Sequence, residues 1–446
     1  MTPVPRLTAF VLAAVLPVVT VAPTLGAAGS VLRTALAFLA FVAVLRHHTR
    51  LTPYQGVLVF TWVTLVAAMA VGSPDPGYGL ARAVNWLMFT PLVCLAAHPV
   101  NWVIVTRSLL ITCGVQMAAV GAQLLGLLGG TWGGLLTSGR NYDPVERNYL
   151  TRYTGLLLNP NDLGLILAAG VVVVLMIASE RPAHSWFAIP SAALLTTGII
   201  LTGSRGALLA LVLGILIMLV FLPTIHRLLV ISLGIGTALW LTTREGETRL
   251  VLYSITDIFT GSDRSANSRR ELWSTYLSQS DNLAVGNAFG ATLRSGDLGS
   301  QAAAGRATVD NSLLKLLLEG GWLALTVLVA VLVVVYLPLL TRRYGPDRFA
   351  AGAILAVMGM IAFRSLSVDL LDINPWNAVI WLFAGMAVSL SSQEPSVEHE
   401  GEHRRLPGLD EPRAELEAVQ VPERDDESVP VSVRPLQNAS PWAGRG

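Results

Sequence analysis

Apolar residues fall into blocks of about twenty, separated by short polar segments. About twenty apolar residues in a helix cross roughly 30 Å of hydrocarbon. Backbone groups in lipid have no water to bond, and these runs are too long for barrel strands, so the blocks indicate helices. The pattern predicts an all-α polytopic membrane protein with twelve spans, near residues 7–25, 30–45, 54–72, 79–97, 101–129, 153–178, 185–203, 205–222, 227–242, 312–340, 349–366 and 374–391.

Two long hydrophilic stretches interrupt this pattern, at about 243–309 and at 392–446. The second is rich in acidic residues and Pro and has almost no apolar periodicity, which is typical of a disordered segment. We expect it to be dispensable for chemistry. The predicted domains are therefore a polytopic membrane domain over 1–391 and a disordered tail over 392–446.

The composition agrees with lipid contact, because 53% of the residues are hydrophobic and 13% are charged. Soluble domains have roughly 45–50% apolar and 25% charged residues, so a string of soluble domains is excluded. Basic residues accumulate in cytoplasmic loops. If the loops that carry most Arg residues are cytoplasmic, both termini are cytoplasmic as well. The stretch at 243–309 is then extracytoplasmic, and we expect the chemistry on the outer face.

Four arginines lie at or near the outer ends of helices in this topology, where loop charge bias does not place them: Arg33, Arg82, Arg205 and Arg364. Charge at membrane depth is costly and is a default indication of function. Each could instead snorkel to the interface or pair with a nearby carboxylate, such as Arg364 with Asp369. Four together favour a shared anionic ligand, since guanidinium donors match phosphate oxygens.

Within the outer loop, SRRELWSTYL predicts a short helix with Arg269 and Trp273 one turn apart and Arg270 beside them. Such a helix could hold a lipid diphosphate, or it could simply be amphipathic and rest on the membrane surface. Basic and acidic residues of the loop balance, so a general basic patch and a nucleic-acid partner are not expected.

The segment VDNSLLKLLLEGG opens the tenth predicted span, with Asp310 and Asn311 at the N-cap positions. Asp310 could serve only as a cap, or its carboxylate could accept a proton from a sugar hydroxyl. Lys315 and Glu319 are four residues apart and are predicted to form an ion pair inside this helix. Upstream, NPNDLG places Asn161 in a polar break that is predicted to line a cavity.

In order, NPNDLG, TGSRG, RRELW, AVGNAFG and VDNSLLKLLLEGG resemble the O-antigen ligase and Wzy-type polymerase superfamily, over roughly Tyr153 to Ala324. The resemblance implies a GT-C-like glycosyltransferase of the bacterial cell membrane that uses no metal and no cofactor. Its donor would be a glycan on a polyprenyl diphosphate, and its acceptor a glycan or a lipid. Family ligases commonly have His-Asn where this chain has Asp310-Asn311, which favours a polymerase or another transferase of the cell envelope.

In that family an Arg of the SR motif and an Arg of the outer loop hold the diphosphate, and these match Arg205 and Arg269, with Arg270 as the alternative to the second. Asp310 would orient or deprotonate the acceptor hydroxyl, and the transfer would invert the anomeric centre. Further substrate contacts are expected from Asn311, Asn161, Arg82, Arg33, Arg364 and Trp273.

Two other classes of protein fit the same span pattern. A secondary transporter commonly has twelve spans, although paired repeats are not visible in this sequence. A lipid-linked glycan flippase, or a subunit of a glycan-export complex, would have the arginines without the base.

Overall fold

The computed structural model describes residues 5–46, 53–127, 139–143, 148–181, 183, 185–222, 227, 264–278, 280, 282–289, 311–344, 347–371 and 374–392. The first part contains α1 (Arg6–Val21), a 3₁₀ turn (Ala22–Leu25), α2 (Gly26–Arg46), α3 (Pro53–Val71), α4 (Pro76–Leu87), α5 (Leu92–Ala96) and α6 (Pro99–Leu124). A two-stranded antiparallel hairpin follows, β1 (Gly139–Asp143) and β2 (Asn148–Arg152), which pairs Gly139 with Arg152. The described residues are otherwise helices and their connections, so the predicted all-α class holds apart from this hairpin.

The second part begins with α7 (Pro160–Glu180), α8 (Ser185–Leu201) and α9 (Arg205–Leu219). It continues with α10 (Arg264–Ser278), α11 (Ser312–Tyr336), a 3₁₀ segment (Leu337–Tyr344), α12 (Arg348–Ser365) and α13 (Asn374–Ser392).

The centre of the molecule is α7, which packs on α8, α9 and α12. Every residue of α7 from Asp162 to Val174 is buried. A helix that is apolar on all sides is expected in such a central position. Gly164 allows α9 to approach closely, since a Cβ there would lie 2.7 Å from the Cβ of Ala207. Small residues permit this kind of contact between membrane helices.

Six helical stretches in the described part are long and apolar enough to cross a membrane: Arg6–Arg46, Pro76–Ala96, Asn101–Leu124, Pro160–Glu180, Ser312–Arg342 and Arg348–Ser365. Four shorter apolar helices accompany them: Gly56–Val71, Ser185–Leu201, Arg205–Leu219 and Pro375–Ser391. The chain is therefore a helical membrane protein. The division near Gly203 is confirmed, because α8 ends at Leu201 and α9 begins at Arg205.

Two predicted blocks have other helix bounds in the structure, in addition to the interrupted helix α11. The block at 79–97 forms two helices, since α4 ends at Leu87 and α5 begins at Leu92. The block at 153–178 becomes helical only at Pro160, where the ring suits the first turn and the Asn159 side chain accepts from the backbone N–H of Asn161. The predicted span at 227–242 lies outside the described residues apart from Arg227, and the predicted tail at 392–446 lies outside them apart from Ser392, the last residue of α13.

Helix α11 is interrupted after two turns. Gly321 has φ +70° and ψ −175°, which breaks the helical backbone. The loop segment 282–289 lies against this break: the backbone N–H of Asn287 donates to Leu318 O, and the N–H of Trp322 donates to Leu283 O. Backbone groups freed by the break are thus bonded within the protein, as a membrane environment requires.

Candidate functional site

Arg205 occupies the first position of α9, in a turn that is fixed by side-chain hydrogen bonds. The Ser204 hydroxyl accepts from the backbone N–H of Ala207, as an N-cap does. The same hydroxyl donates to Asn161 Oδ1 at 2.9 Å. Because Asn161 lies in the first turn of α7, this bond joins the starts of α7 and α9 beside Arg205.

A second arginine, Arg152 at the end of β2, reaches the same turn. Its Nε donates to the carbonyl oxygen of Thr202 at 2.8 Å, and its Nη2 donates to Asn161 Oδ1 at 3.0 Å. Burial, and to a smaller extent the positive charge of Arg205, lower the pKa of Arg152 to about 10. The guanidinium stays protonated at neutral pH, so two like charges lie close together here.

Arg364, in the last turn of α12, is the third arginine of this region, and it is 5% exposed. Its Nη1 donates to Ser367 Oγ at 3.0 Å. It interacts electrostatically with Asp162, Arg152 and Arg269. Asp162 also accepts a hydrogen bond of 3.0 Å from Trp376 Nε1, which places this carboxylate among the starts of α7 and α13 and the end of α12.

The fourth arginine is Arg269 on α10, a helix predicted from the sequence and present in the structure. Arg269 is half-buried and interacts with Arg364, whereas Arg270 is exposed. Trp273 packs against the apolar residues at the start of α11, including Leu314. Arg269 and Trp273, which the sequence places one turn apart, thus have different surroundings. Trp273 packs α10 against α11, and Arg269 interacts with Arg364. We call Arg152, Arg205, Arg269 and Arg364 the arginine cluster.

The start of α11 is bonded to the segment that follows Arg364. Asn311 is the N-cap residue, and its Oδ1 accepts from the backbone N–H of Leu314 at 2.9 Å. Ser312 Oγ donates to Val368 O at 3.1 Å and accepts from Leu370 N at 2.7 Å. These bonds fix the start of α11 near the arginine cluster. Asp310, the predicted base, lies outside the described residues, so its role stays a prediction.

Lys315 donates to Asp369, and Glu319 binds Arg82 at 3.1 Å. The sequence predicted that Lys315 and Glu319 pair with each other inside the helix. It did not predict Asp369 and Arg82, the partners that join α11 to other segments. The suggested pairing of Arg364 with Asp369 is also wrong as the main contact of this arginine, because Asp369 holds Lys315 and Arg364 interacts with Asp162.

The contacts described for Arg82 and Arg33 are with residues outside the arginine cluster. The Arg82 side chain is 6% exposed and is enclosed by the rings of Tyr78, Trp86 and Phe289. It binds Glu319, whose side chain is 0% exposed. This environment is that of a structural ion pair. Arg33 lies on α2, which packs on α1 and α5, and its Nη2 donates to Ser30 Oγ at 3.2 Å on the same helix.

Of the predicted site residues, Arg205, Arg269, Arg364 and Asn161 thus come together, and Asn311 lies near them. Sequence reasoning missed Arg152 and gave Asp162 no role. A signal for Arg152 was available, since it is a basic residue that directly precedes a predicted span on the outer side.

An apolar cavity of about 650 Å³ has Ser365, the residue after Arg364, among its lining residues. Its walls come mainly from α3, α11, α12 and α13. Its lining residues include the polar Ser312 and Ser365 and the apolar Leu337 and Leu340. The volume falls within the roughly 300–1,000 Å³ that is typical of ligand sites. The end of α12 thus contributes Arg364 to the arginine cluster and Ser365 to this cavity.

No protein-family model matches the chain, and no curated protein is similar to it in sequence.

Proposed function

We propose that the protein is an extracytoplasmic glycosyltransferase that moves a glycan from a polyprenyl diphosphate to an acceptor hydroxyl. The observation that carries this proposal is the arginine cluster, in which arginines from four separate segments interact with one another, Arg152 is bound to Asn161, and Arg364 interacts with Asp162. Arginine supplies planar, bidentate donors for phosphate oxygens.

The like charges of the cluster favour an anionic ligand. Arg364 interacts favourably with the carboxylate of Asp162 and unfavourably with Arg152 and Arg269, and Arg152 interacts unfavourably with Arg205. Gathering like charges is unfavourable unless an opposite charge is present. A diphosphate supplies such a charge and gains bidentate hydrogen bonds from the same side chains.

The adjoining cavity supports a lipid-linked donor. Its walls are nearly all apolar, and Ser365, the residue after Arg364, is one of its lining residues. An amphiphile with an anionic head and a long hydrocarbon chain fits a polar cluster that shares the end of α12 with such a cavity. A soluble sugar nucleotide has no hydrocarbon chain that would contact these apolar walls.

The proposed reaction is an inverting, metal-independent transfer. The acceptor oxygen forms a bond to the anomeric carbon while the bond from that carbon to the diphosphate oxygen breaks. Its electron pair leaves with the polyprenyl diphosphate, and Arg205 and Arg269 stabilise the developing charge. The hydroxyl proton passes to Asp310.

In this proposal the chain has twelve spans in a GT-C-like arrangement in a bacterial plasma membrane, with both termini cytoplasmic. The bias of basic loop residues supports this orientation. The arginine cluster then lies at the outer face, where a lipid-linked glycan and its acceptor meet.

The test is transfer by the purified full-length protein in liposomes that contain a polyprenyl-diphosphate-linked oligosaccharide and a glycan acceptor, with EDTA present. We expect an elongated or attached glycan together with free polyprenyl diphosphate, in equal amounts. Transport of a solute without any lipid-linked sugar, or movement of the intact donor between leaflets without bond cleavage, would replace the proposal with a transporter or a flippase.

A further inference from the structure

The guanidinium of Arg364 lies directly on the backbone of Gly206, the residue after Arg205. A Cβ atom built at Gly206 would be 1.7 Å from Arg364 Nη1 and 2.6 Å from its Cζ. Such distances are impossible, so a side chain at position 206 and the present position of Arg364 exclude each other. The glycine of the TGSRG turn therefore leaves space for an arginine 158 residues further along the chain.

Arg364 still has an unused donor in this position. Its Nη1 donates to Ser367, whereas the buried Nε has no hydrogen-bond partner among the described residues. A buried donor without a partner is costly. The cost is explained if a ligand with acceptor oxygens completes the set of bonds when it binds.

We infer that Arg364 is a third guanidinium ligand of the diphosphate and that Gly206 is its positioning residue. This inference rests on the proposed function and assigns Gly206 a part in it. Gly206 places Arg364 beside Arg205, which begins the same helix turn, so two arginines from distant segments act on one anion. Asp162 attracts Arg364 from the α7 side and balances part of its charge.

The test measures binding of a sugar-free polyprenyl diphosphate to the full-length protein in nanodiscs, with the corresponding polyprenyl monophosphate for comparison. We expect Gly206→Ala and Arg364→Ala each to bind the diphosphate about tenfold to a hundredfold more weakly than wild type. The matched control is Gly121→Ala on α6, where a Cβ meets nothing within 4 Å, and it should bind as wild type does.

A double-mutant cycle separates positioning from mere folding. In the Arg364→Ala background the added Cβ meets no guanidinium, so Gly206→Ala should cause little further loss of affinity and should cost less thermal stability than in wild type. If Gly206→Ala lowers stability but the folded protein keeps wild-type affinity, Gly206 is structural and the inference is wrong.

The wild-type control keeps this inference distinct from the proposed function. Wild-type protein that does not prefer the diphosphate to the monophosphate would contradict the proposed function itself. Wild-type protein that shows the preference, with Arg364→Ala equal to it, would overturn only the role of Arg364 and Gly206.

Discussion

Asn161 shows how one uncharged side chain shapes the site. Its Oδ1 accepts hydrogen bonds from both Arg152 and Ser204. A carboxylate at this position would make the same bonds and would also cancel a positive charge. An amide fixes the geometry of Arg152 and leaves the charge available to an anion, which is what a phosphate site requires.

Arg269 and Arg270 provide a test between neighbouring residues. Arg269 is half-buried and interacts with Arg364, while Arg270 is exposed. We expect Arg269→Gln to lower kcat/KM for glycan transfer about a hundredfold, the loss typical of one donor to a developing anion. Arg270→Gln is the matched control and should stay close to wild type. If Arg270→Gln lowers kcat/KM more than Arg269→Gln does, the outer-loop arginine that holds the diphosphate is Arg270.

Arg82 is expected to act on stability. It forms a buried ion pair with Glu319, so Arg82→Met leaves a buried carboxylate without its partner and should cost about 3–5 kcal/mol. Thermal unfolding in one detergent measures this, and the double variant Arg82→Met with Glu319→Leu should recover much of the loss. If Arg82→Met is as stable as wild type but binds the lipid-linked glycan donor more weakly, Arg82 belongs to the binding site.

The sequence indicated which arginines were unusual, but not which of them meet. Arg82 and Arg364 both lie at predicted outer helix ends, and only packing separates them. Arg82 forms an ion pair with Glu319 on α11, whereas Arg364 interacts with Asp162 and also with Arg152 and Arg269. Pairing across helices depends on which helices are neighbours, and one sequence does not determine that.

Among the elements, α11 differs most from its prediction as one continuous span. Two early turns pack with α10 and the loop at 282–289, and the backbone then breaks at Gly321 before the helix continues. The AVGNAFG and GG segments were visible in the sequence as separate motifs. Their mutual backbone hydrogen bonds were not, because they depend on a contact between a loop and a helix.

Gly321 is the residue that this break requires. Its φ of +70° with ψ of −175° is a conformation essentially confined to glycine, and a Cβ there would lie 2.4 Å from the carbonyl carbon of Val285. We expect Gly321→Ala to destabilise the protein by at least about 1–3 kcal/mol. Thermal unfolding measures the loss, with Gly114→Ala on α6, where a Cβ meets nothing within 4 Å, as the matched control. If Gly321→Ala and Gly114→Ala are equally stable, the backbone break does not require glycine at position 321.

At the scale of the whole molecule, the site is assembled from parts that are far apart in the chain. The end of β2, the starts of α7 and α9, the helix α10 and the end of α12 each contribute a residue to the cluster or its support. The helical membrane class followed from the apolar blocks of about twenty residues, and six of the described helical stretches are long and apolar enough to cross a membrane. The assembly did not follow from these blocks, since it depends on the packing of α7, α9 and α12 around one another.

The central claim is that the cluster stabilises a diphosphate leaving group, and Arg205→Ala tests it most directly. The measurement is single-turnover glycan transfer from the lipid-linked donor, by wild-type and variant proteins with equal folded fractions in liposomes. Loss of one such donor should slow the reaction about 10²–10³-fold while insertion into the membrane is unchanged. Transfer by Arg205→Ala at the wild-type rate would contradict the account.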